Sequence, residues 1–304
     1  MTVGVGSTLG GRDLMQTHVA ARAALGRLDN LYGAPTVYAQ ALRQHRQVLT
    51  WHATVRTSAQ RRQIAALAAD TGGFVAFLAN DMGATRAGIT HYSDAISYAQ
   101  QAGDLSSWVA LRGQLSRVLA DQGRDQDALA LADAAVRRAG TQAHPAVRSW
   151  LHAVRAHHHA CQGDVRAAQT DLAMAWALLE RADDGEVPAY IGFLDAAELW
   201  KWTGHVTVAL LRRDEVSPSV LRAGETALEQ ARVAWPASAV RGSAEMLTAS
   251  ARVRAAGRDL DLAAALASRS VTVARQTGSA RNLRAALTTR AVIVEPRPRP
   301  VLFL

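Results

Sequence analysis

The sequence predicts an all-α solenoid of antiparallel helix pairs, and three observations lead there. Close to half of the 304 residues are apolar yet only 5% are aromatic, with Ala supplying much of the remainder. Small apolar residues of high helix propensity build helical cores, whereas sheets draw on Val, Ile, Thr and aromatics. Second, Gly83, Gly123 and Gly163 recur at intervals of 40 residues without a gap, in the turns Asp81-Met82-Gly83, Asp121-Gln122-Gly123 and Gln162-Gly163-Asp164. Third, five residues after each glycine stands Gly88, Ala128 or Ala168, and twelve after stands Ala95, Ala135 or Ala175.

The spacing has a physical reason. A glycine enters the left-handed conformation at little cost and so ends a helix. The two small residues that follow are seven apart, so they share one face of the next helix and let it pack closely on its neighbours. Glycine with small residues at plus five and plus twelve resembles the tetratricopeptide pattern, although 40 exceeds that family's usual period. The resemblance implies a TPR-like α-solenoid, a right-handed superhelix of antiparallel helix pairs.

The elements follow in order. Residues 1–12 are Gly-rich and expected to be disordered; residues 13–62 read as N-terminal capping helices, Asp13–Asp29 and Pro35–Thr57. The repeats are expected over 63–294. Beyond the third turn they continue in degraded form, with a long helical stretch from Phe193 to Arg213. Ser217-Pro218 is a good N-cap and first-turn pair for a helix ending near Trp235, before Pro236. A further hairpin turns at Ala256-Gly257-Arg258 with Ala263–Val273 as its second helix, and Ser279 caps a last helix to Val294. The tail 295–304 alternates Pro and Arg and cannot be helical.

Beyond the repeat, several runs resemble one group. They are Ala65 to Asp70 with Asn80 to Gly83, His91 to Ala99 with Ala102-Gly103-Asp104, and Phe193 to Leu199. Together they look like the tetratricopeptide sensor half of actinobacterial helix-turn-helix transcriptional regulators, over roughly residues 15–290. In that family an N-terminal domain binds operator DNA and the repeat half senses a ligand or partner. Residues 1–60 offer no helix–Gly-turn–helix unit with a recognition helix, so the expectation is either a trimmed chain or a stand-alone sensor relative, without direct DNA binding.

Charge and cysteine content narrow the classes. The formal charge is +8 and the pI about 10.6, which raises the question of nucleic acid. Lys201 is the only lysine, however, and the arginines are scattered, with small groups at Arg61–Arg62, Arg137–Arg138 and Arg212–Arg213. Abundant Ala and Arg with almost no Lys points to a GC-rich genome rather than a selected phosphate track. Cys161 stands alone, which rules out an intramolecular disulfide. No signal peptide or membrane span is evident, so a cytoplasmic protein is expected.

First helices of such pairs line the concave face, and the 40-residue register names the side chains that meet there. Thirteen residues before each turn glycine lie Asp70, Ala110 and Trp150; six before lie Phe77, Arg117 and His157; three before lie Asn80, Ala120 and Ala160. Leu211, placed at the fourth turn by the family resemblance, adds Glu198 and His205. The expected ligand-binding set is therefore Asp70, Phe77, Asn80, Arg117, Trp150, His157, Glu198 and His205. Such a mixed surface suits a small molecule, peptide or protein better than a phosphate backbone. Trp150 is expected to face the groove, so that its replacement by Ala would weaken binding and spare stability.

No metal or cofactor is expected. His157-His158-His159 cannot chelate one ion from one helix, because successive side chains point about 100° apart. Acidic Asp183-Asp184 reads as a solvated loop, and Gly4 to Gly11 lacks the preceding strand of a nucleotide loop. No catalytic motif is recognisable. The alternative to a regulatory or adaptor protein is a regulator-like scaffold turned biosynthetic acid/base cyclase or lyase, using His157, Asp195 or Glu198. Exposed end faces of a solenoid often pair, and a homodimer is compatible with this.

Overall fold

The computed structural model describes residues 11–182, 187–211 and 217–294. Asp183–Asp184, Arg212–Arg213, Gly4 to Gly10 and the tail from Glu295 therefore lie outside the described residues. Among those described, all regular structure is helical: α1 (Gly11–Tyr32), α2 (Ala34–Thr54), α3 (Ser58–Asp81), α4 (Thr85–Ala102), α5 (Leu105–Asp121), α6 (Asp125–Ala139) and α7 (Pro145–Cys161). They continue as α8 (Val165–Glu180), a 3-10 turn (Ala189–Ile191), α9 (Ala196–Leu210), α10 (Pro218–Ala234), α11 (Val240–Ala256), α12 (Leu260–Gln276) and α13 (Ala280–Val294).

Each turn glycine does the job that its spacing implies. Gly83, Gly123 and Gly163 have φ of 85°, 74° and 85°. The residue after each glycine sends its N–H back to a carbonyl of the finished helix, as from Ala84 to Ala79 at 2.8 Å and Asp164 to His159 at 3.0 Å. The next helix then starts with a side-chain cap in several places: Asp104, Asp164, Asp195, Ser217 and Asp259 each accept from a backbone N–H of the first turn. The small residues at plus five and plus twelve are buried without exception. At Gly88 a β-carbon would stand 3.0 Å from the carbonyl oxygen of Ala76, so α4 lies directly on α3.

The degraded fifth turn keeps this geometry with a different residue. Arg258, not Gly257, occupies the left-handed position, with φ 65°, and Asp259 N–H returns to Arg254 O at 3.0 Å. A side chain there costs about 1 kcal/mol relative to glycine. Arg258→Gly should therefore stabilise the protein by roughly 0.5–1 kcal/mol, read as a higher urea midpoint with an unchanged m-value.

Pairs α3/α4, α5/α6, α7/α8, α9/α10 and α11/α12 stack so that α3, α5, α7, α9, α11 and α13 are successive neighbours on the inside. The sequence does not reveal what happens next. The stack comes round on itself: α13 touches α3, and α1 packs on both α11 and α3. Gly33, before α2, sits so close to Thr277, after α12, that a β-carbon there would fall 1.7 Å from the Thr277 carbonyl oxygen. Ser279 Oγ donates to Asp81 Oδ1 at 2.8 Å, and Arg241 meets Asp29 Oδ2 at 3.1 Å. The first and last helices thus close a ring, and the concave face becomes an interior. Residues 13–62, expected as a cap, take part in that closure.

Candidate functional site

Glu245, on α11, organises the inner surface. Arg117 of α5 donates to its Oε1 at 3.2 Å and Arg281 of α13 to its Oε2 at 3.4 Å. Lys201 Nζ and His205 Nε2, both on α9, stand 3.9 and 3.5 Å away. Burial pushes the Glu245 carboxyl upward, but Arg281, Lys201 and Arg117 together outweigh it and hold the group well below the usual carboxylate range. Arg281 also reaches Asp81 at 3.6 Å, which carries the charge network to the ring closure. Four separated stretches of sequence are thereby tied together by one carboxylate.

Around this network lies a cavity of about 300 Å³. Arg117, His157, Trp202, His205, Glu245 and Arg281 form much of its wall, with Arg252 and Arg284 further along it. The rings of His157, Trp202 and His205 meet edge to face with centroids 5.7–6.4 Å apart, and the Arg117 guanidinium lies over Trp202 at 5.0 Å. Two imidazoles on this wall, those of His205 and His158, are held neutral. Burial pushes His205 down to about 3 against the opposing pull of Glu245, and pushes His158 to about 2 with help from His157.

His158 also reveals its tautomer. Ser116 Oγ spends its proton on the Gly113 carbonyl at 2.7 Å. In the 3.0 Å contact with His158 Nε2, Ser116 is therefore the acceptor and Nε2 carries the hydrogen. Nδ1 remains a bare, buried acceptor without a partner.

The expected site residues divide into groups. Arg117, His157 and His205 line the large cavity together. Phe77 faces the ring closure, under the Arg241 guanidinium at 4.6 Å. Asn80 does not join them: its β-carbon lies 3.2 Å from where a side chain on Gly88 would begin, against α4. Glu198 is buried beside the cavity rather than on its wall, paired with Lys201 at 2.8 Å and accepting from Trp202 Nε1 at 3.1 Å. Asp70 and Trp150 line a second, smaller cavity with Ala110.

Trp150 requires a correction. It is wholly buried and belongs to the largest apolar cluster, with Val109, Val147 and Trp202. Its replacement by Ala would leave a core void costing about 3–5 kcal/mol, so it cannot spare stability as the sequence suggested.

The acid/base alternative loses its geometry. Asp195 is not on the helix face but caps its start, accepting from Glu198 N–H at 2.8 Å. Glu198 is committed to Lys201 and Trp202, and of the three residues only His157 lines the cavity. The histidine run diverges as its spacing requires: His158 turns to Ser116, and His159 to Asp171 at 3.8 Å on the α8 side. Among the described residues no group of three His, Cys, Asp or Glu is placed to hold a metal ion.

Glu245, Lys201, Trp202, Arg252 and Arg281 were not anticipated. The register contained two of them: thirteen and six residues before Arg258 lie Glu245 and Arg252. Trp202 and Lys201 follow from burial on α9, which a 40-residue period does not report. Arg281 comes from α13, the next inner helix after α11, to which the register was not carried.

No family model matches the chain, and no curated protein matches it in sequence. Among the described residues no helix is long and apolar enough to cross a membrane. Among solved structures the chain is similar to the Rap protein in its complex with Competence and Sporulation Factor. The TM-score is 0.55 over 92% of this chain and 82% of that one, at 10% sequence identity. That likeness, spanning nearly the whole length of this chain, shows the fold: a tetratricopeptide-like helical repeat.

Proposed function

We propose that the chain is a regulatory binding protein that takes a short peptide or another small polar ligand in the cavity around Glu245. The carrying observation is the cavity itself. Side chains from α5, α7, α9, α11 and α13 converge on about 300 Å³ of interior, at the lower end of the range for ligand pockets. Its wall alternates guanidinium groups, neutral imidazoles and an indole face, which serves carbonyl, carboxylate and aromatic groups of a ligand together. Support also comes from the Rap protein, whose structure is a complex with Competence and Sporulation Factor on a similar fold. The resemblance to actinobacterial helix-turn-helix regulators adds transcriptional control, from the cytoplasm, as the setting of this reading.

Native mass spectrometry of the protein purified from its own host, against a denatured control, tests the proposal. Ala285, on α13, lines the cavity and is not part of the charge network. Ala285→Trp should fill the space. The wild-type protein is expected to carry a ligand mass that Ala285→Trp lacks, with helicity and melting temperature retained. A ligand retained equally by the variant, or a bare chain from both, would remove this cavity as the binding site.

A further inference from the structure

Only one face of α1 closes the ring. Leu25 and Asp29 are buried there, Asp29 against Arg241 of α11 at 3.1 Å, and Arg22 turns to Asp70 of α3 at 3.6 Å. The opposite face of a helix at a protein surface ordinarily carries charged and polar residues. On α1 it is largely apolar. Leu14, Leu28 and Leu31 are 36%, 41% and 37% exposed, and Ala20, Ala21 and Ala23 are exposed among them. From residue 13 to the end of the helix, Asp13 and Arg27 are the only exposed charged residues.

The exposed residues fall into rows. Leu14, Ala21 and Leu28 are seven apart and therefore lie one above another along the helix. Thr17 and Ala24 stand beside them at the offset that makes a seam of heptad spacing. Along one edge of that seam runs a second row, Asp13, Ala20 and Arg27. Reversing the central row leaves it large, small, large. Reversing the edge row exchanges acid for base about a small residue. The midpoints of the two rows, Ala21 and Ala20, are one residue apart, about 1.5 Å along the axis. Among the described residues, neither Asp13 nor Arg27 forms an ion pair within its own chain.

We infer that the exposed face of α1 is a homodimer interface, on which a second copy of this chain lays its own α1 antiparallel across a two-fold axis near Ala21. Leu14 of each copy then meets Leu28 of the other, and Ala21 meets Ala21, where the small side chain lets the helices approach closely. Asp13 of each copy meets Arg27 of the other, so the edge row is complementary twice over. A parallel pairing would set Asp13 on Asp13 and Arg27 on Arg27, and like charges in apposition oppose association. A membrane surface would call for a polar face rich in Lys and Arg, whereas this face carries one acid and one base. Ring closure uses the other side of α1, so pairing and closure do not compete for the helix. The inference concerns a surface outside the Glu245 cavity and does not depend on a ligand there.

Sedimentation velocity of the full chain over a concentration series tests this. A single helix pair is a small interface, so a dimer dissociating at roughly 10 µM is expected. Arg27→Asp makes both edge contacts repulsive and should weaken the dimer about tenfold, as should Asp13→Arg. The double variant Asp13→Arg/Arg27→Asp should return to the wild-type constant. The two single variants, mixed, should pair with each other more tightly than either pairs with itself, because one presents two bases and the other two acids. Ala21→Arg sets like charges on the axis and should leave a monomer throughout the series, with helicity by circular dichroism unchanged because the position is exposed. A wild-type chain that stays monomeric at every concentration would overturn the inference. A dimer of undiminished strength in Ala21→Arg would place the contact on another face and overturn it equally. Single reversals that weaken the dimer without rescue by the swap or by mixing would overturn the antiparallel register.

Discussion

Acidification from about pH 7 to about pH 4 is expected to unfold this protein, with most of the stability lost below about pH 6. Three histidines are folded into the interior in their neutral form. His158 and His205 flank the large cavity, with pKa values pushed down to about 2 and about 3, chiefly by burial. His45 is the third: it bonds Thr71 at 2.9 Å, and burial takes it to about 4. In the unfolded chain each returns to about 6.5. Below that value the unfolded state binds protons that the native state refuses, so stability falls as pH falls. Each such group contributes about 1.4 kcal/mol per pH unit, and three together about 4. A domain with about 5–15 kcal/mol in total cannot withstand this for two or three units.

Glu245 acts in the same direction at lower pH. Its carboxyl is held well below its ordinary value, so its contribution is complete above the unfolded value of about 4.3 and is lost as pH falls towards the folded one. Far-ultraviolet circular dichroism in urea at a series of pH values measures the slope. His158→Gln removes one titrating group and should make that slope shallower by about a third, even if stability at neutral pH falls. A wild-type stability that is level between about pH 7 and pH 4.5 would mean that these imidazoles are solvated and that the interior is open to water.

How far the sequence carried the structure depended on whether the cause was local. Gly83, Gly123 and Gly163 are legible because a left-handed turn and the small residues behind it lie within one repeat. The fifth turn, Ala256-Gly257-Arg258, is legible too, but Arg258 rather than Gly257 takes its left-handed position, so a register counted from glycine falls one residue short. Had the geometry rather than the residue type been followed, Glu245 and Arg252 would have joined Arg117, His157 and His205 on the inner face. Trp150 shows a different limit. Its register placed it on the inner helix, which is correct, but a period cannot say that α1 and the Tyr190 loop will cover it. Asn80 lies only three residues from its turn, where α4 folds back on α3 through Gly88, so the tight pairing takes it instead of the interior.

Ring closure is the least local feature, since it depends on small rotations added over every pair, and it makes the sharpest mutational forecast. Gly103 and Gly278 share a left-handed backbone, with φ of 72° and 61°. A β-carbon at Gly103 meets nothing within 4 Å, whereas at Gly278 it lies 2.7 Å from the Pro35 ring, across the junction. Gly103→Ala should therefore cost about 1 kcal/mol, the local backbone penalty. Gly278→Ala should cost about 1–3 kcal/mol more, for overpacking. Gly33→Ala should be the most damaging, at about 3 kcal/mol or above. Its φ of 86° and ψ of 168° suit glycine alone, and its β-carbon would fall on a backbone carbonyl that no rotamer change can move. Pro35→Ala should recover much of the loss in Gly278→Ala and none of that in Gly33→Ala. Hydrogen exchange in α12 and α13 should quicken in both junction variants and stay unchanged in Gly103→Ala. Equal losses at all three glycines would mean that the ends do not meet in solution. Glu245 would then keep Lys201 and Arg281, from the inner helices on either side of α11, but Arg281 would lose Asp81 across the junction, and the cavity would be an open groove.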